Sequence, residues 1–145
     1  MKLALSRCQD LLRSSDHAVL ATLHQGRGVD AVPVCFVVDG MQVAVPTDLI
    51  KPKSSTVLQR QRNLDADPRA VLLCDHWDPL DWSRLWWVRT SVTRIVTDAE
   101  RRRELGSLLA AKYRQYRHQP FADLLVFTIT ELSGWSAAAD PPART

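Results

Sequence analysis

The sequence predicts a mainly β domain, in which about six antiparallel strands with flanking α-helices form a small closed or nearly closed barrel. Runs rich in small and β-branched residues recur along the 145-residue chain. Two connections between them, "QGRG" at 25–28 and "DG" at 39–40, have the composition of tight hairpin turns, which force antiparallel pairing. Helical periodicity is confined to three separate segments. The predicted order is therefore helix, three strands, helix, two strands, helix, strand.

The first third of the chain predicts one helix and a three-stranded meander. Residues 3–14 place apolar side chains at helical intervals, which is typical of a short amphipathic helix. The three strands are predicted at 18–24, 29–38 and 41–45. Pro33 lies inside the second strand, and proline cannot donate to a strand ladder. This position therefore implies an edge strand, a bulge or a break that faces a ligand.

The remainder predicts two helices and three further strands. One helix is expected over 54–67, with Ser54 as its N-cap, because Pro68 forces it to stop. Thr97 and Glu100 have capping-box spacing, so a second helix is expected to run from there to about residue 116. In that helix Lys112 continues the helical spacing of Leu105, Leu108 and Leu109. The strands are predicted at 69–77, 84–96 and 123–137.

The composition limits the class of protein. Nineteen basic and sixteen acidic residues give a net charge of only +3, so nucleic acid is not an expected partner. No apolar run is long enough to span a bilayer. The N-terminal segment does not fit a signal peptide, because charged residues interrupt its apolar run. The widely spaced Cys8, Cys35 and Cys74 favour buried thiols over a disulfide framework or a metal site. We therefore expect one cytoplasmic domain over 1–137, followed by a frayed tail at 138–145.

The segment "TDLIKPKSST" at 47–56 carries the most chemistry. It follows a predicted strand and leads into a predicted helix, whose first turn offers unpaired backbone N–H groups and a partial positive charge. Lysine side chains and hydroxyl groups come together at this helix start, and Arg60 follows at helical spacing from Lys53 and Thr56. Such a set of groups suits the binding of an anionic phosphate. A capped helix with a basic exposed side is the alternative. The candidate residues are Thr47, Lys51, Lys53, Ser54, Thr56 and Arg60.

The stretch "DHWDPLDWSRLWWVR" at 75–89 holds four of the five tryptophans. Alternation along a strand puts Trp87 and Arg89 on one face and Trp86 on the other. One tryptophan can then fill the barrel core while the other lines an interface or a groove. Packing by both tryptophans is the alternative. We interpret the acidic residues here, Asp78 and Asp81, together with His76, as hydrogen-bonding groups that order a loop and not as acid–base catalysts.

Several segments together resemble a known family. They are "AVLATL", "VPVCFVVDG", "KPK", "RNLDADPRAVLL", "DHWD..DWSRLWWVR" and "SGWSA", and they extend from about residue 15 to 137. This pattern is similar to the flavin- and deazaflavin-binding split β-barrel proteins related to pyridoxamine 5′-phosphate oxidase. The closest resemblance is to the F420 (deazaflavin)-dependent oxidoreductases typical of actinobacteria. The tryptophan-rich stretch with "KPK" is the most specific part of the match.

The resemblance implies a six-stranded antiparallel split β-barrel that forms a homodimer, with two cofactors in grooves at the subunit interface. It implies that Lys51 and Lys53, with Ser54, Thr56 and Arg60 nearby, hold the cofactor's phosphate. It also implies that the strand "PVCF", with Pro33 and Cys35, lies along the ring system. Relatives place aromatic and basic residues of the partner chain over the cofactor, for which Trp87 and Arg89 are the candidates. No metal is implied.

Three functions remain open at this point. The first is an F420-dependent oxidoreductase that transfers a hydride between the cofactor and an unsaturated or quinone-like small molecule. The second is an FMN-binding oxidase or reductase with the same barrel. The third is a non-catalytic protein that binds a cofactor or a tetrapyrrole. Two departures from the family pattern motivate the third: Pro46 precedes the cofactor loop, and "TSVTR" after Arg89 contains no glycine.

Overall fold

A computed structural model describes residues 1–48, 58–118 and 121–141. This part of the chain forms three helices: α1 (Leu5–Ser14), α2 (Gln59–Ala66) and α3 (Ala99–Lys112). Its strands are β1 (Ala18–His24), β2 (Gly28–Val34), β3 (Val37–Asp39), β4 (Gln42–Asp48), β5 (Arg69–His76), β6 (Trp86–Ile95) and β7 (Phe121–Ser136). Two short 3₁₀ turns occupy Trp82–Arg84 and Arg114–Arg117. The predicted mainly β class with flanking helices is confirmed.

The strands form one antiparallel sheet in the order β2-β1-β5-β6-β7-β4-β3. The two edge strands, β2 and β3, are neighbours in the chain, and only Cys35 and Phe36 separate them. A seven-stranded sheet whose two edges are two residues apart must curl on itself. The result is a barrel that is split between β2 and β3, where the described residues form no ladder.

The strand count differs from the expected six because the predicted strand 29–38 is two strands. Its first part ends at Val34 and its second begins at Val37, since the chain crosses from one edge of the sheet to the other between them. Pro33 lies on edge strand β2, which confirms one of the three positions predicted for it. At an edge the missing N–H of proline costs no ladder hydrogen bond.

Alternation along the strands builds the barrel core. Leu20, Leu72 and Val88 are fully buried and face inward from β1, β5 and β6. Helix α1 closes one end of the barrel with Cys8, Leu11 and Leu12. A second, smaller core lies on the other face of β4 and β7, where Leu105 and Leu109 of α3 pack against Leu124 and Val126. This second core sets α3 beside the split.

Helix boundaries depart from expectation in three places. The backbone is extended at Leu58 and α2 begins at Gln59, so the predicted helix 54–67 is too long; its proposed N-cap, Ser54, lies outside the described residues. The cap of α3 is Asp98, whose carboxylate accepts from Arg101 N at 2.8 Å, and not Thr97. Helix α3 also ends at Lys112, before the predicted end near residue 116.

The N-terminus and the described part of the C-terminal segment both contact elements at one end of the barrel. The N-terminal amine donates to Ser136 O at 2.6 Å. The Arg7 guanidinium donates to Pro141 O, and Pro141 is buried, so the described part of the C-terminal segment contacts α1. In the described ranges, no helix combines the length and the apolar character that crossing a bilayer requires.

Candidate functional site

A cavity of about 230 Å³ opens at the split in the barrel. Its wall is built from separate parts of the chain. The end of β2 and the residue that follows it lie next to the residue that precedes β1. The other side comes from β4, α2 and the 3₁₀ turn after α3. An imidazole, a thiol, a guanidinium and a phenol therefore face one small space with proline rings between them. The lining residues are His17, Pro33, Val34, Cys35, Pro46, Arg60 and Tyr116.

Arg60 connects this cavity to a second one. Its guanidinium donates to Pro46 O at 3.1 Å, which ties α2 to β4. The same side chain also lines a neighbouring cavity of about 270 Å³, which is bounded by Arg27 and Asp30 as well. Buried Asn63 supports this second wall by donating to Asp30 Oδ2 at 2.9 Å. Arg60 therefore places one cation at the junction of two adjoining spaces.

His17 has an acidic neighbour. Its Nδ1 lies 2.6 Å from Asp16 Oδ1, and both side chains are substantially exposed. A carboxylate at Nδ1 selects the tautomer and the orientation of an imidazole ring. Among the described residues, no group of three or more His, Cys, Asp or Glu side chains has the arrangement of a metal site.

Two residues at the end of α3 hold the backbone of the split. The Tyr113 hydroxyl lies 3.1 Å from Phe36 N, 3.0 Å from Phe36 O and 2.7 Å from Asp16 O. The Lys112 amine donates to Phe36 O at 2.9 Å and lies 4.0 Å from the centroid of the Phe36 ring. Phe36 is fully buried, so its peptide groups need such partners where the ladder is interrupted.

Burial changes the protonation of both residues. Loss of solvent lowers the pKa of the Lys112 ammonium to about 8, although the nearby Cys74, Asp16 and Cys35 act in the opposite direction. Burial also raises the pKa of the Tyr113 hydroxyl, which stays protonated. With its single proton the hydroxyl can donate to only one carbonyl, and it can accept from Phe36 N at the same time.

The tryptophan-rich stretch divides as predicted. Trp86 is fully buried in the barrel core, where it stacks with His76 at 6.2 Å between ring centroids. Trp87 and Arg89 lie on the outer face of β6, with the guanidinium 5.8 Å from the centroid of the Trp87 ring. The interpretation of two acidic residues as loop-ordering groups is confirmed, since Asp78 accepts from Leu80 N at 3.0 Å and Asp81 from Ser83 N at 3.0 Å.

The outer face of the sheet exposes apolar side chains on four strands, β1, β2, β5 and β7, beside charged residues such as Arg89. Leu23, Val29, Leu73 and Trp135 on this face are each more than a third exposed. One row of cross-strand partners runs from Pro33 through Val19 and Leu73 to Arg89. This face therefore continues to the edge of the cavity at Pro33.

The predicted site residues fall into three groups. The structure brings Pro33, Cys35 and Arg60 together in the cavity. It leaves Thr47 buried on the face of β4 opposite Pro46, and it leaves Trp87 and Arg89 three strands away from β2. The remaining candidates, Lys51, Lys53, Ser54 and Thr56, lie outside the described residues.

Sequence reasoning missed four residues of this region: His17, Tyr116, Lys112 and Tyr113. One of them carried a signal, because Lys112 occupies an apolar interval of its helix, and a lysine there indicates a buried or partly buried amine. The other three come from turns and helix ends, where no periodicity predicts what a side chain will contact.

Solved structures with similar folds are numerous, and three illustrate them. A conserved hypothetical protein of Mycobacterium tuberculosis has a TM-score of 0.73 at 16% identity, with 93% of this chain and 86% of that one covered. The FAD binding protein of Mycobacterium smegmatis has a TM-score of 0.57 at 17% identity, covering 93% and 97%. HutZ, the heme storage protein of Vibrio cholerae, has a TM-score of 0.62 at 12% identity, covering 88% and 92%.

At these identities the solved structures establish the shared fold alone. No curated protein matches the sequence. The family model described as pyridoxamine 5′-phosphate oxidase matches residues 5–136, which include every described helix and strand. The split barrel and this match lead to the same conclusion: the chain belongs to the pyridoxamine 5′-phosphate oxidase family.

Proposed function

We propose that this protein is an oxidoreductase that binds F420, or alternatively FMN, at the split of its barrel. The carrying observation is the cavity itself, in which the three predicted residues Pro33, Cys35 and Arg60 meet. The proline and tyrosine rings of the wall suit an aromatic ring system, and the Arg60 guanidinium suits an anionic group. FAD binding by a protein of similar fold supports a flavin-type cofactor.

The residues around the cavity can accommodate part of such a cofactor, namely its ring and one anionic group. One cavity of about 230 Å³ is below the usual size of a ligand pocket, and Arg60 also lines a second space of about 270 Å³. Arg27 in that second space is paired with Asp30, so the anionic end of a cofactor is assigned to Arg60. We propose that the ring occupies the first space, and that Arg60 binds the phosphate together with the predicted Lys51 and Lys53.

When bound, the deazaflavin supplies hydride chemistry toward an unsaturated or quinone-like small molecule. The protein's own residues position and desolvate the reactants. Pro33 and Cys35 form a wall of the ring site, and Arg60 fixes the anionic end, which orients what lies between. If a second chain covers the exposed outer face of the sheet, the substrate bound beside that face is shielded from water.

We propose that a second copy of the chain covers this face. Large apolar side chains exposed on four strands are costly to leave in water, and this face meets the cavity at Pro33. Within one chain, three strand spacings separate Pro33 from Arg89, roughly 14 Å, which is too far for Arg89 to reach a ring in the cavity. A second copy could bring its own Trp87 and Arg89 to the open side of the site.

Equilibrium dialysis of the purified protein against F420 and, separately, FMN tests the cofactor assignment. Arg60→Gln is expected to weaken binding roughly tenfold to a hundredfold, since a charge-assisted hydrogen bond is lost. The matched control is Arg62→Gln, because Arg62 is exposed on the same helix and lines neither cavity. Binding of neither cofactor by the parent protein would overturn the proposal, and preferential binding of FMN would select the alternative.

Sedimentation analysis tests the dimer. Leu73→Glu puts a charge on the outer sheet face and should give a monomer, whereas Leu80→Glu should leave the dimer intact because Leu80 is 96% exposed on a loop. Quenching of tryptophan fluorescence by the cofactor, abolished by Trp87→Phe, would place the Trp87 ring of a second copy beside the site. A parent protein that sediments as a monomer with cofactor bound would contradict the shared site.

A second candidate function is haem or tetrapyrrole binding. The Asp16–His17 pair favours it, because a carboxylate at Nδ1 directs Nε2 toward a metal, and His17 lines the cavity. A Soret band on haem titration that is lost in His17→Ala and kept in His24→Ala would support this function. His24 is the control because its Nδ1 accepts from two turn amides instead.

A further inference from the structure

The break between β2 and β3 leaves the backbone N–H and C=O groups of one residue in need of partners. Cys35 and Phe36 belong to neither strand, and Phe36 is fully buried, so water does not satisfy its N–H and C=O groups. Buried backbone groups without a partner are rare because each costs the free energy of a lost hydrogen bond. Here Lys112 and Tyr113 supply the partners from outside the sheet.

The same hydroxyl also holds a second wall of the cavity. Tyr113 contacts Asp16 O at 2.7 Å as well as the Phe36 peptide. Asp16 precedes His17, and Phe36 follows Cys35, and both His17 and Cys35 line the cavity. One phenol therefore ties together the backbone next to two neighbouring wall residues of the candidate site.

A third wall belongs to the same unit. The Tyr116 ring lines the cavity and packs edge-on against the Tyr113 ring at 5.6 Å between centroids. The Lys112 amine lies 5.3 Å from the Tyr113 ring centroid and donates a hydrogen bond to Phe36 O. Because Phe36 O already has this donor, the Tyr113 hydroxyl can donate its single proton to Asp16 O. The contacts of Lys112 and Tyr113 are therefore complementary.

We infer that Lys112 and Tyr113 are positioning residues of the cofactor site, which hold Cys35 and His17 at the separation that the cofactor requires. This inference rests on the proposed function. Neither residue is expected to touch the cofactor, since neither lines the cavity. They act through the backbone at Phe36 and Asp16.

Two readouts test the inference. In Tyr113→Phe, which removes only the hydroxyl, dialysis should show cofactor affinity about tenfold weaker, the size expected for one lost buried hydrogen bond. Iodoacetamide labelling of the native protein, followed by peptide mapping, should show Cys35 reacting several times faster than in the parent. Cys8 is an internal control, because at 1% exposure its labelling reports unfolding and not movement at the split.

Lysine variants separate positioning from general stability. Lys112→Met should repeat both effects, and Lys112→Arg should recover most of the affinity because it keeps a cationic donor near Phe36 O. Arg101→Met is the matched control: Arg101 ties the other end of α3 to Asp39 and Gln42, so its loss should change neither Cys35 labelling nor affinity.

The outcomes are distinguishable from those for the proposed function. If the parent binds neither cofactor, the proposed function fails, and faster Cys35 labelling in Tyr113→Phe alone would still show that Tyr113 positions the cavity wall. If the parent binds a cofactor and both variants bind it equally well, the inference is overturned while the function stands. Unchanged Cys35 labelling in both variants would overturn the inference in either case.

Discussion

The β5–β6 hairpin and the β2–β3 junction differ in how their sequences relate to their roles. The hairpin carries four of the five tryptophans, yet its conspicuous residues divide between the core and the outer surface. The junction is two ordinary residues, Cys35 and Phe36, and it forms the wall of the candidate site. Unusual side chains here mark packing, whereas the site depends on where the backbone is interrupted.

The physical reason lies in the hydrogen bonds of each region. Across the hairpin, the ladder pairs residues continuously from Arg69 with Thr93 to His76 with Trp86, so the side chains face either the core or the outside. At the junction the ladder stops, and α3 supplies the missing partners to Phe36. The candidate cavity lies where this ladder stops.

The largest effect is expected inside the hairpin, between its two adjacent tryptophans. Trp86→Ala should lower the free energy of unfolding by about 3–5 kcal/mol, because it empties a fully buried site. Trp87→Ala is the matched control and should cost less than about 1 kcal/mol at low protein concentration. Urea unfolding measures both; similar losses for the two would show that both rings pack in a core, as in the alternative interpretation of this stretch.

Most of the fold could be predicted because it follows from local patterns. Alternation along the strands and the turn residues at "QGRG" and "DG" give four strands within two residues of their true ends and a fifth, 41–45, that stops three residues before the end of β4. The sixth run, 29–38, was predicted as one strand, since no residue type marks a crossing from one sheet edge to the other. That crossing depends on the closure of the whole barrel.

The site could be predicted less completely. Pro33, Cys35 and Arg60 were found through spacing and resemblance, and the cavity brings them together. Lys112 and Tyr113 follow Cys35 by more than seventy residues, and only the packing of α3 against the barrel brings them to Phe36. Long-range contacts of this kind leave no periodic signal in the chain.

An intermediate effect is expected at the junction, as a dependence of stability on pH. The pKa of Lys112 falls from its usual 10.5 to about 8 in the folded protein, so between these values the unfolded chain binds more protons. The free energy of unfolding should therefore rise with pH from about 8 to 10 by ~1 kcal/mol, since partial exposure screens the group.

Chemical denaturation of the parent and Lys112→Met at several pH values checks this. The difference between the two proteins should grow in favour of the parent as the pH rises, because the cost of burying the ammonium disappears once it loses its proton. Asp16, Cys35 and Cys74 act against the shift, and all three remain in both proteins. Parallel curves would mean that Lys112 keeps an ordinary pKa and is not buried at the split.

The smallest effect is expected at the tip of the hairpin. Trp77 and Trp82 lie 5.8 Å apart between ring centroids and are 56% and 66% exposed, so most of their surface stays in water in the folded chain. Trp82→Ala should change the free energy of unfolding by less than about 1 kcal/mol, which is the usual size for one exposed aromatic pair. Thermal unfolding at two protein concentrations measures it. A larger loss that grows with protein concentration would extend the proposed dimer contact from Trp87 to the tip of the hairpin.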